Sequence, residues 1–110
     1  MLNKKNLIGN PKVIEDLFKK GKIFKDDILI FKYMETDGLP RFVVSVSKKI
    51  YKKANKRNRL RRQLQESIRL NLPVLNKKII ALITVRPSIN DSKYDFQSLN
   101  KSITKFFNTI

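Results

Sequence analysis

The chain has 110 residues, 41% of them hydrophobic, with 25 Lys or Arg against nine Asp or Glu and a formal net charge of +16. That is enough length for one domain with its own core, and a charge that a polyanionic partner would relieve. Neither Cys nor His occurs, which excludes disulfides, thiolate chemistry, the commonest metal ligand and the usual general base.

No apolar run approaches the ~20 residues of a membrane span. The opening MLNKKNLIGNPK lacks the uninterrupted apolar stretch of a secretion signal. A single cytoplasmic domain over residues 1–110 is therefore expected.

In chain order, Asn10-Pro11 predicts a helix start, with Asn as N-cap and Pro at the first helical position. Val13, Ile14, Leu17 and Phe18 form its apolar stripe, and Gly21 stops it. From Lys22 to about Glu35 the pattern is strand-like. Ile28 and Ile30 alternate with Leu29, Phe31 and Tyr33, so both faces are apolar. Asp37-Gly38 and Pro40 mark a turn, and Arg41 to Lys49 reads as the next strand. A basic helix follows as far as Pro73. Lys77 to Pro87 reads as a buried strand, and Ser92 to about Asn108 as a last helix carrying Phe96, Leu99, Ile103, Phe106 and Phe107. The order is α-β-β-α-β-α, an α+β domain of helices on a small sheet.

Charge is concentrated in KKIYKKANKRNRLRRQLQESIR, residues 48–69, which holds five lysines, five arginines and the single acid Glu66. Codon bias in an AT-rich genome would account for scattered lysines, but the same bias would have made Arg57, Arg59, Arg61 and Arg62 lysines as well. At about 100° per residue, Leu60, Leu64, Ile68 and Asn71 share one side with Ser67 between them, the side that packs on the sheet. Asn55, Asn58, Arg59, Arg62, Glu66 and Arg69 take the far side. Arg57 and Arg61 sit on the flank, where a charge at the edge of a core face needs a reason. Guanidinium groups meet paired phosphate oxygens or stack on bases, and Asn58 offers hydrogen bonds to sugar or base edges. The pattern suits a reader of RNA shape and backbone. The bland reading leaves Arg59, Arg62 and Arg69 as solvated surface.

The same stretch resembles the signature of the bacterial ribonuclease P protein subunit. A strand ends in Lys48-Lys49, then come Ala54, Arg57-Asn58-Arg59, Leu60, Arg61-Arg62 and Glu66-Ser67. The likeness extends to a first helix ending in Phe18-Lys-Lys-Gly21, to the hydrophobic strand ending in Arg86-Pro87, and to the last helix.

The resemblance implies a small mixed sheet flanked by three helices, ribosomal-protein-S5-domain-2-like. It also implies a left-handed βαβ crossover, where the general rule would have given a right-handed one. It implies a subunit of a ribonucleoprotein endonuclease that matures the 5′ end of tRNA. The catalytic RNA and its Mg²⁺ would perform hydrolysis, so no catalytic residue and no protein metal site are expected. Glu15-Asp16 and Asp26-Asp27 are read as surface acids. The implied RNA contacts are Lys48, Lys49, Lys52, Lys53, Lys56, Arg57, Asn58, Arg59, Arg61 and Arg62. The implied cleft for the single-stranded leader of precursor tRNA uses Ile14, Phe18 and Phe31, with Arg57 and Arg61 at its edge. From the residues alone, Phe18 and Phe31 read equally well as core. Two positions depart from the family pattern. Ile14 stands where Phe is usual, and Gln65 where an Arg commonly precedes the Glu. No obligate protein partner is evident. The rival readings are a general RNA- or ribosome-binding protein and a membrane-surface protein, the latter weakened by the narrow apolar face of the basic helix.

Overall fold

The computed structural model describes residues 2–87 and 94–110. The first helix, α1, spans Pro11–Lys20. The Asn10 side chain accepts the Lys12 backbone N–H at 2.9 Å, the N-cap bond that its sequence foretold. At the other end the Gly21 N–H donates to the Leu17 carbonyl at 3.0 Å. A Cβ on Gly21 would lie 2.5 Å from that oxygen, so close approach is what requires glycine here.

The strand-like stretch after α1 is a hairpin of two strands, β1 (Lys22–Lys25) and β2 (Leu29–Glu35). Asp26 makes the turn, its Oδ1 accepting the backbone N–H groups of Ile28 and Leu29, each at 2.9 Å. The expected element order therefore gains one strand. Apolar residues on both faces hid the break, because the Asp26-Asp27 pair is the only local mark of it.

β3 (Arg41–Ser45) is followed by α2 (Ala54–Asn71), β4 (Ile79–Val85) and α3 (Phe96–Thr109). β3 ends before Lys48-Lys49, and α2 begins six residues after Lys48, so the first lysines of the basic stretch precede the helix. Ser92, the expected start of the last helix, lies outside the described residues. The helix itself starts at Phe96 with Asp95 as its cap, Oδ1 accepting the Ser98 N–H at 2.7 Å.

The sheet order is β1-β2-β4-β3. β2 is antiparallel to β1 and β4, and β3 is parallel to β4, so β3-α2-β4 is a βαβ unit in a mixed sheet. The N-terminal segment shields the outer edge of β3. Leu7 bridges Phe42, the Ile8 N–H donates to the Phe42 carbonyl at 2.9 Å, and the Asn6 amide donates to the Pro40 carbonyl at 2.7 Å.

The two faces of the sheet are covered unequally. On one, Leu60, Leu64 and Ile68 of α2 and Leu99, Ile103, Phe106 and Phe107 of α3 pack on Phe31, Phe42, Ile79, Ala81 and Ile83. Each of these side chains is nearly or wholly buried, and Phe31 stacks on Phe106 with centroids 4.1 Å apart. Between the two helices a polar cluster is satisfied internally. Ser67 Oγ and Asn71 Nδ2 donate to Asn100 Oδ1 at 2.7 and 2.8 Å, and Thr104 Oγ1 donates to Asn71 Oδ1 at 2.9 Å. On the other face the ten-residue α1 covers Ile80 and Leu82, chiefly through Leu17, helped by buried Ile8 of the N-terminal segment. One short helix cannot cover four strands, and a groove is left beside it.

Candidate nucleic-acid interface

Strand geometry decides what faces that groove. Side chains alternate across the sheet, so a residue and its directly paired neighbour share a face. Val43 pairs with Leu82, and both lie on the α1 side. These two form the floor of a groove of about 340 Å³, with Ile14 and Phe18 of α1 as one wall and Arg61 of α2 at the opposite rim. Phe18 is 58% exposed, far too open to be core. Of the leader-cleft residues named from the sequence, the structure brings together Ile14, Phe18 and Arg61.

Phe31 does not join them. It pairs with Ile83, points to the α2–α3 side and is 0% exposed. The β2 residue at Phe18 is its neighbour Lys32, which shares the α1 side with Met34, pairs with Leu82 and sets its ammonium over the Phe18 ring. The sequence reading missed Lys32 by one position, and one position in a strand is the opposite face. The paired position is an anchor that only the sheet register supplies.

Arg57 is also not part of the groove lining. Its Nη1 donates to the backbone carbonyls of Tyr51 and Lys52, at 2.9 and 2.8 Å, tying the segment before α2 to its first turn. That segment has no side-chain cap, since Lys53 occupies the N-cap position without a capping bond. Arg61 is aimed differently. Its Nη1 donates to Asn58 Oδ1 at 2.7 Å, one turn back on the helix. Asn58 is thereby a support for Arg61 as well as an exposed polar group.

The remaining predicted cations surround α2. Arg59 and Arg62 are exposed on its outer face, and Lys48, Lys49, Lys52, Lys53 and Lys56 are exposed before and within its first turn. The helix's own acid does not oppose them freely. Arg69 Nε donates to Glu66 Oε2 at 3.1 Å, and this bond chiefly holds the Glu66 carboxyl down at about 2. Two acids elsewhere are engaged in local structure too, Asp26 in the hairpin turn and Glu15 in a pair with Lys19 at 2.7 Å. Among the described residues, no three His, Cys, Asp or Glu side chains come together to hold a metal ion. No described helix is long and apolar enough to cross a membrane.

The family model described as Ribonuclease P matches residues 2–110. The chain is similar to the ribonuclease P protein component of Clostridium botulinum (strain Langeland), 36% identical over 93 residues that cover 83% of each protein. It is similar to that of Rippkaea orientalis, 27% identical over 112 residues, 94% of this chain and 88% of the relative. In fold it resembles the ribonuclease P protein from Thermotoga maritima, with a TM-score of 0.76 at 21% identity over 88% of this chain and 90% of that one. The ribonuclease P protein from Staphylococcus aureus gives 0.75 at 19% identity, over 97% and 92%. With a basic helix, an open groove beside it and a family match over nearly its whole length, this chain belongs to the ribonuclease P protein family.

Proposed function

We propose that this chain is the RNA-binding subunit of a cytoplasmic ribonucleoprotein endonuclease that removes the 5′ leader of precursor tRNA. In this reading two surfaces of one helix do different work. The outer face of α2, with Arg59, Arg62 and the lysines at 48, 49, 52, 53 and 56, holds the catalytic RNA through its phosphates. The groove beside α1 takes the unpaired leader.

The observation that carries the division is the position of Arg61. It stands at the rim of an apolar groove with the exposed Phe18 ring on the far wall, while Arg59 and Arg62 of the same helix face solvent. An aromatic wall with a cationic rim suits single-stranded nucleic acid, which binds by base stacking and backbone charge with little need of sequence. A row of solvated guanidinium groups suits folded RNA instead. Hydrolysis is assigned to the RNA and to Mg²⁺ held by it. The described residues offer that ion no cluster of three acids, and no step is routed through the protein.

Reconstitution tests the reading. This protein is added to a bacterial ribonuclease P RNA at low Mg²⁺, and cleavage of a precursor tRNA is followed. Release of the leader at the mature 5′ end, stimulated by the protein and lost as salt is raised, is the expected result. Tight RNA binding without stimulation would overturn it in favour of a general RNA-binding protein.

A further inference from the structure

A second cavity, of about 470 Å³, opens on the other flank of α2, where the helix meets the start of α3; it shares no lining residue with the leader groove. We propose that it receives one unpaired nucleobase, guanine by its chemistry, from the RNA that α2 binds. The proposal rests on α2 being an RNA-binding helix.

The inner wall is apolar and fixed. Leu60 is 2% exposed and Tyr94 5%. The Tyr94 hydroxyl donates to the Arg86 carbonyl at 2.5 Å, and its ring meets Tyr51 edge to face at 6.0 Å. Phe96 is half-buried and forms a ridge, since its ring borders both this cavity and a shallower hollow shared with Arg62 and Glu66. Such a ring offers a base one face to stack on.

The polar groups decide which base. Gln63 brings one carboxamide, a donor and an acceptor together. Asp95 brings a carboxylate, an unexpected charge on a surface otherwise built from cations. Its Oδ1 caps α3 by accepting the Ser98 N–H, and that bond holds the carboxyl below its ordinary range, so at neutral pH it only accepts. Its two oxygens carry about four acceptor sites, more than the Ser98 backbone and side-chain bonds use. Guanine alone among the four bases presents an imino and an amino N–H side by side, the pattern a carboxylate accepts from. Lys56 and Arg59 stand at the same cavity, placed to meet the phosphates on either side of the inserted base.

The test is a nuclear magnetic resonance titration of the ¹⁵N-labelled full chain with guanosine, adenosine, cytidine and uridine 5′-monophosphates, each alone. The amides of Gln63, Asp95 and Phe96 should shift with the guanosine nucleotide at about tenfold lower concentration than with the others. Asp95→Asn, which keeps a capping oxygen, should remove that preference, and Phe96→Ala should weaken all four nucleotides alike, while the remaining spectrum stays in place. Cavity shifts of equal strength for all four nucleotides would overturn the guanine assignment. Shifts confined to Lys56 and Arg59, or none, would overturn the site. The titration contains neither catalytic RNA nor precursor, so its failure leaves the reconstitution result standing, and the reverse also holds.

Discussion

The Lys32 ammonium lies 4.3 Å from the centre of the Phe18 ring, a cation over an aromatic face that links β2 to α1 across the open side of the sheet. The contact engages one face of the ring while leaving Phe18 58% exposed. Phe18→Ala should therefore weaken binding of precursor tRNA by about tenfold, with binding of mature tRNA unchanged. Thermal unfolding should barely move, because little buried surface is lost. Titration of the holoenzyme with both RNAs decides it, and equal losses for the two would remove Phe18 from the leader site.

Arg57 and Arg61 share a flank of α2 but should fail in different assays. Arg57→Ala leaves the Tyr51 and Lys52 carbonyls without their guanidinium donor. A loss of about 1 kcal/mol in denaturant unfolding is expected, with α2 fraying at its start. Arg61→Ala should leave stability alone and reduce the preference for precursor over mature tRNA. A double-mutant cycle would show the two effects adding independently.

Phe31 is a core residue, and its variants should behave as core variants. Phe31→Ala removes a ring stacked at 4.1 Å on Phe106 and should cost about 3–5 kcal/mol. Phe31→Leu keeps most of the volume and should stay folded with unchanged leader affinity. A folded Phe31→Leu protein that bound precursor poorly would return this residue to the cleft.

Glu66 should titrate far below an ordinary carboxyl. Its value in the folded chain is about 2 against an ordinary 4.5, with the Arg69 hydrogen bond as the first cause. Because the folded value is depressed, the stabilising contribution is complete above 4.5 and is lost as pH falls from there through about 2. Carbon-13 shifts of the Glu66 carboxyl should report that midpoint, and Arg69→Ala should move it upward.

Much of this molecule could be read from local pattern. The caps Asn10 and Gly21 bound α1 where the sequence placed them, since a cap acts within a few residues. The buried side of α2 is Leu60, Leu64, Ser67, Ile68 and Asn71, the set that helical periodicity selects. The exposed Arg59 and Arg62 follow from the same wheel. The polar cluster of Ser67, Asn71, Asn100 and Thr104 could be read only in part. Helical spacing turned Ser67 and Asn71 inward, but their partners lie about thirty residues on.

What the pattern left open required a partner distant in the chain. An apolar run with both faces hydrophobic is consistent with either side of a sheet, so Phe31 could be cleft or core until β2 was paired with β4 and α1 was seen to cover one face only. Arg57 and Arg61 were equivalent on the wheel, and the fold separated them by bringing the Tyr51 and Lys52 carbonyls within reach of one and the groove within reach of the other. Helix and strand periods are set by backbone geometry within a few residues. The face a side chain meets is set by packing between segments that no local period connects.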